Sequence, residues 1–503
     1  YGFEDVANGT FGSLVITRGS RIMAEGTKTD PIVFTARDER DTELTLEDSS
    51  LWGGVILLGN AILNDAGNPI ISPDAPILNE REIEGFPAGG NNDFIKYGGL
   101  DDDDSSGVLK YVSIRFGGFE FQQDEEINGL TLGAVGRGTT IEYVEVFNNS
   151  DDGVEFFGGT VNTKHLVMAF NEDEQFDIDQ GYRGKNQFWF GLGKSVGNGS
   201  NYGGEHDGGD SPDKSLEPFA RTQIFNATYL GSGVKGGNPQ TNAAFRLKDN
   251  FAGQYHNSIF GDFPNEAIRI DDEATQTRVN TDGDLAFQNN LWFDFGTYDG
   301  TGASLTKNGS VEEIKVVTEN GNQYANPYLG GMSRNAAGGL DPRPHADGPA
   351  YTNSTSVVPN DGFFTQTGYV GAFAADDNWM AGWTYLSRKG YLPAAPAAAP
   401  ADVVVSANIT EDTMWTSDNA YVLGQAVFVT NNATLTIEAG TKIYGFEDID
   451  AGTFGSLIVT RGAKLYAEGT RDHPIIFTAR EARDGELTLE DSSLWGGVIL
   501  LGN

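Results

Sequence analysis

The chain has 503 residues, 38% of them apolar, a formal charge of −39 and no cysteine. Disulfides and thiolate metal sites are therefore excluded, and so acidic a surface repels nucleic acid and anionic lipid. No apolar run reaches the roughly 18 residues that a membrane span needs, and the 67 glycines, about twice average usage, point to an all-β chain of tight turns.

Residues 1–60 return at 444–503: at an offset of 443, 44 of the 60 aligned positions are identical. A shorter period runs inside this long one. After an insertion at 61–107, the segments YVSIRF (111–116), YVEVF (143–147) and VEFF (154–157) alternate in polarity, the mark of a strand with one buried face. The stretch 143–159 aligns with 165–181 at an offset of 22, apolar on apolar and glycine on glycine. A constant offset without intervening helices predicts a parallel β-helix of about 22 residues per coil, each position stacked about 4.8 Å from its successor. The predicted buried columns are Leu132–Phe156–Ile178 and Val144–Leu166. A second insertion spans 191–219; such loops project from one side of a solenoid and carry its variable surface.

Near residue 377 the pattern changes. DDNWMAGWTYLSRKGYL reads as a short helical closing segment, capped by Asp377 or Asn378 and ended by Gly390, with Trp379, Trp383 and Leu386 on one face. It is expected to cover the open end of the stack. PAAPAAAPA (393–401) reads as a semi-extended linker. Fresh coils follow, with 435–443 aligning on 457–465, again at 22. The expected organisation is the body and C-terminal end of one β-helix unit over 1–392, the linker over 393–401, and the first coils of the next tandem unit over 402–503.

The motifs ATLTIEAGTKIYG (433–445), LIVTRGAKLYAEGT (457–470), WGGVILLGN (52–60), GLTLGAVGRGTTIEYVEVFNNSDDGVEFFGGTVNTKHLVM (129–168) and GYRGKNQFWF (181–190) resemble an uncharacterised family of large secreted or surface proteins of Gram-negative bacteria. The resemblance implies right-handed parallel β-helices, export, and a cell-surface or extracellular setting. It implies no catalytic residue. Near-identical tandem copies favour a structural role.

Acidic turns carry the candidate chemistry. Asp101, Asp102, Asp103 and Asp104, Asp151 and Asp152, Asp173 and Glu174, Asp207 and Asp210, and Asp282 and Asp284 lie in stretches rich in Asp, Asn and Gly. Ca²⁺ takes six to eight oxygens, which such turns present together. The 22-residue register sets Asp151 over Asp173 and Asp152 over Glu174, where a cation would relieve the repulsion; solvated turns are the simpler alternative. On an outward strand row, Glu155 and Asp177 are followed by Arg246 and Arg269. That row suits either a charge-paired exposed sheet or the floor of a carbohydrate cleft. Tyr202 and Phe219, in the second insertion, suit sugar stacking or plain loop packing. The five histidines lack metal-ligand spacing, and no nucleophile-elbow, phosphate-loop or dinucleotide motif occurs, so no enzyme is expected. The sequence reads as a structural repeat of an extracellular fibre or filament, stalk- or adhesin-like. Its expected partners are neighbouring copies of the repeat, with glycans and Ca²⁺ as further ligands. The alternative is a carbohydrate-binding or polysaccharide-degrading β-helix with a cleft over Glu155, Asp177 and Arg246.

Overall fold

The computed structural model describes residues 1–503 apart from 6–9, 65–79, 87–91, 121–126, 196–199, 210–216, 235–241, 282, 394–400, 418, 446, 449–452, 470–473, 481–491 and 503. It divides into two compact units, Tyr1–Pro393 and Ala394–Asn503. Most of the 393–401 segment lies outside the described residues.

In the first unit eight strands form one parallel sheet, in the order Ile268–Ile270, Ala243–Lys248, Tyr202–Asp207, Phe176–Asp179, Val154–Phe157, Leu130–Gly133, Val55–Leu58 and Leu14–Ile16. A second, thirteen-stranded sheet includes Gly107–Arg115, Thr140–Phe147, Asn162–Ala169 and Lys185–Leu192. The predicted columns are present: Leu132 pairs with Phe156, Phe156 with Ile178, and Val144 with Leu166, all buried. Inside the stack the rings of Phe176 and Trp189 lie 4.4 Å apart and nearly parallel. Each such side chain contributes roughly 1.5–3 kcal/mol by leaving water, and only a neighbouring coil supplies the cover. The architecture is a parallel β-helix.

Coil length is less regular than the sequence suggests. Val154 pairs with Phe176, 22 residues on, but Thr228 pairs with Ile259, and Ile259 with Leu291, 31 and 32 residues on. The extra residues enter at turns and add no rung, so alternation within the strands survives.

The strands of the second sheet turn a corner at one left-handed residue each. Tyr111, Tyr143, His165 and Phe188 hold this position, with φ between 50 and 60°, and Asn226, Asn257 and Asn289 continue the column. Left-handed backbone costs a non-glycine residue about 1–2 kcal/mol. Ring stacking offsets it: Tyr111 on Tyr143 at 4.4 Å, Tyr143 on His165 at 4.1 Å and His165 on Phe188 at 4.8 Å.

The flank of that aromatic column, not the end of the stack, is what the closing segment covers, which corrects the expected cap. Trp383 packs edge-on against Tyr111 and Tyr143, and Trp379 against Tyr143 and His165. Earlier in the same segment, Asn226 Nδ2 donates to Tyr369 O (3.0 Å) and Asn257 Nδ2 to Ser356 O (2.9 Å). Residues 354–392 are thus a strap along the flank. Only Tyr385–Arg388 is helical, with Thr384 as its N-cap in place of the expected Asp377 or Asn378. Its first amides, Tyr385 N and Leu386 N, donate to the buried Glu145 carboxylate at 2.6 and 3.2 Å.

The second unit builds its coils from three small parallel sheets: Ala401–Val405, Asn419–Leu423, Lys442–Gly445 and Ile476–Ala479; Thr413–Trp415, Thr434–Ile437 and Lys464–Ala467; and Ala426–Val429, Ser456–Val459 and Gly497–Leu500. Its core holds Trp415, Leu423, Val427, Leu435, Ile443 and Leu457. Among the described residues no helix is long and apolar enough to cross a membrane.

Candidate functional site

Strand pairing in the eight-stranded sheet lines up Thr131, Glu155, Asp177, Glu205, Arg246 and Arg269, one per rung. Period two turns this row away from the core, because its neighbours Val154 and Phe156, or Phe176 and Ile178, point in. The turns entering the strands bring further acids to the row. At Asn148–Gly153, Asn149 Nδ2 donates to Asp152 O (3.0 Å), while Asn149 N donates to Asn171 Oδ1 of the next coil (3.0 Å). Gly153 closes this turn against the coil beside it, where a Cβ would meet Asn171 Nδ2 at 2.5 Å and Gln175 O at 2.6 Å. The asparagines, 22 residues apart, hold Asp151 and Asp152 beside Asp173 and Glu174.

The result is a cleft of about 450 Å³ with an acidic end and a cationic end. Carboxylate oxygens of Asp151, Asp152 and Asp173 lie within 4.8 Å of one another, and so do those of Asp152, Glu174 and Asp177, so Asp152 belongs to both groups. Oxygens that close can share one Ca²⁺, whose ligands sit 2.3–2.6 Å from the ion. Asp152, Glu155 and Glu174 are buried. Burial first, and neighbouring carboxylates second, push Asp152, Glu155, Glu174 and Asp177 well above the usual carboxylate range. Hydrogen bonds satisfy part of the charge: Glu174 N donates to Asp152 Oδ1 (2.9 Å), Asn128 Nδ2 to Glu155 Oε2 (2.6 Å), and Asn201 Nδ2 to Asp173 Oδ1. At the other end Arg246 bonds both Glu205 oxygens at 3.1 Å and Asp271 at 2.8 Å, and Arg269 bonds Asp271. Lys248 pairs with Glu205 and Asp207. The cations of the row are therefore engaged beyond the acidic end, which keeps four raised carboxylates to itself.

A family model for pectate-lyase-like β-helix domains matches residues 3–384 and 407–503. The chain belongs to the pectate-lyase-like β-helix family. No curated protein and no solved structure matches it. The family match covers residues 3–60, their copy at 446–503 and the whole cleft.

Of the sequence candidates, Asp151, Asp152, Asp173 and Glu174 meet in the cleft. The others are placed elsewhere. Asp102 takes two bonds from Arg183 (2.9 and 3.1 Å) and one from Ile62 N; Asp103 pairs with Arg137 at 2.8 Å. Asp104 accepts from Asn60 N (2.9 Å), tying the end of the first insertion to its start, and Asp101 accepts from Asp103 N (3.0 Å) within its own turn. Asp207 pairs with Lys248 at 3.2 Å, and Asp284 lies between Arg221 and Arg278, each at 3.1 Å. Asp210 and Asp282 fall outside the described residues. Phe219 is not a sugar platform: it is buried between the Arg221 and Arg278 guanidiniums, at 3.9 and 4.0 Å from its ring. Tyr202 and Asn201 of the second insertion do line the cleft, as does Glu84 of the first. Glu84 has no sequence signal, because a 47-residue insertion carries no period that says where it folds back.

Proposed function

We propose that the cleft binds Ca²⁺ and, through it, an acidic polysaccharide outside the cell, as a carbohydrate-binding or polysaccharide-degrading β-helix. The observation that carries this reading is the group of four raised carboxylates around Asp152, gathered at one end of a cleft whose other end presents arginines. A divalent ion supplies the missing countercharge and leaves coordination positions for ligand oxygens. Sugar carboxylates then bridge to the ion, while Arg246 and Arg269 attract negative groups further along the row. Membership in the pectate-lyase-like family supports a carbohydrate ligand. The test is binding of polygalacturonate and of a neutral glucan to the full chain, with calcium and with EDTA. Retention of the acidic polymer with calcium alone is the expected result; equal retention in EDTA would refute the role of the ion. Release of unsaturated or reducing ends would distinguish degradation from binding.

A second reading rests on a different observation, the recurrence of residues 1–60 at 444–503. It makes the chain a repeat of an extracellular fibre whose units join end to end. Filaments with a fixed axial repeat in micrographs would support it, and a dispersed monomer at high concentration would count against it.

A further inference from the structure

The second sheet has a pocket of its own. About 350 Å³ in volume, it opens between the first rungs of Thr140–Phe147 and Asn162–Ala169 and the strap at Gly362–Phe363, with Arg137, Thr140, Glu142, Asn162, Lys164 and Phe363 in its walls. Lys164 stands out. In a chain with 72 acidic and 33 basic residues, this half-buried ammonium has no carboxylate within 4 Å among the described residues. It donates to the Thr365 hydroxyl (3.1 Å) and lies 4.8 Å from the centre of the Phe363 ring. The acids near it are engaged by others. Glu142, its register partner, pairs with Lys110 at 3.0 Å and faces His165 at 3.6 Å. Asp361 is held by Lys185 at 2.5 Å. Burial pulls the Lys164 pKa down, the effect expected of a cation short of countercharge. Around it stand neutral hydrogen-bonding groups. Asn162 Oδ1 accepts from Lys185 N (2.9 Å), so the amide N–H pair of Asn162 points to other uses. Thr140 adds a hydroxyl, and Arg137, paired with Asp103 at 2.8 Å and facing Asp102 at 3.8 Å, adds a guanidinium with N–H donors beyond those pairs.

We propose that this pocket binds an acidic sugar, with the carboxylate or sulfate on Lys164 and Arg137 and the ring hydroxyls on Asn162, Thr140 and Glu142. It lies in a different sheet from the acidic cleft and needs no cation, so it stands or falls independently of the calcium reading. The test is calorimetry on the full chain in EDTA, with glucuronate, glucose 6-sulfate and glucose as separate titrants. Glucuronate or the sulfate should bind and glucose should not; which anion binds tighter identifies the source of the charge. Lys164→Ala should weaken binding by at least about tenfold, the cost of losing a charged hydrogen-bond donor, and Lys164→Arg should keep most of it. Lys164→Met, which retains the apolar stem over Phe363, covers the case in which the alanine loosens the strap. Asp152→Asn should leave this binding unchanged. Equal binding of glucose, no saturable binding of either anion, or full affinity in both Lys164→Ala and Lys164→Met would overturn the proposal.

Discussion

The segment 1–60 and its copy 444–503 share most of their sequence but not their neighbours. Tyr444 is 8% exposed, under Ala420 and Val422 of the preceding coil, whereas the equivalent Tyr1 is 76% exposed. On the other side the contrast reverses. Leu57 is fully buried beside Leu132 of the next coil, and its equivalent Leu500 is 67% exposed. The same residues are thus core or surface according to which coil lies beside them. In a solenoid, burial belongs to the interface between coils rather than to the coil itself.

That contrast can be broken most sharply at the leucines. Leu57→Ala should cost about 2–5 kcal/mol, as cavity formation in a packed core does, while Leu500→Ala should cost under about 1 kcal/mol. Urea denaturation of the two variants measures both, and equal costs would contradict coil-by-coil burial. The next effect separates the first unit from the second, because the acidic cleft lies wholly in the first. Its four raised carboxylates, with Asp207 lifted to about 7 by burial, bind protons more tightly in the folded chain than in the unfolded one. Their contribution to stability is complete below the unfolded value near about 4 and is lost as pH rises through the folded values. In EDTA the first unit should therefore be less stable at pH 7 than at pH 4, and the decline should come from these groups. Asp152→Asn with Glu174→Gln should flatten that decline in pH-dependent urea midpoints. The smallest effect is at the repeated tyrosine: Tyr444→Ala should cost about 1–2 kcal/mol and Tyr1→Ala less than about 0.5 kcal/mol, read from the same denaturation curves.

Much of this was legible from spacing alone. The 22-residue offset set Val144 beside Leu166 and Asp152 beside Glu174, because register fixes pairing when no residue is inserted between rungs. The row from Glu155 to Arg269 was visible for the same reason, since period two dictates which side chains face out. The closing segment was misplaced at the end of the stack: its tryptophans announce an apolar partner, but the partner is a column of left-handed aromatic residues, and a positive φ at Tyr143 or His165 leaves no trace in an alternation pattern. Asp102 and Asp284 looked like ligands, yet Asp102 is taken up by the distant Arg183, and Asp284 by the distant Arg221 together with the nearby Arg278; pairing across insertions has no local signal. Glu84 reaches the cleft by the same kind of route.

The acidic cleft is the feature on which the functional reading turns, and calcium calorimetry on the full chain addresses it directly. The account predicts saturable binding at pH 7 that is lost in Asp152→Asn with Glu174→Gln and retained in Asp101→Asn, which changes an acidic run outside the cleft. Binding that survives the cleft substitutions, or no saturable binding in the unsubstituted chain, would contradict it.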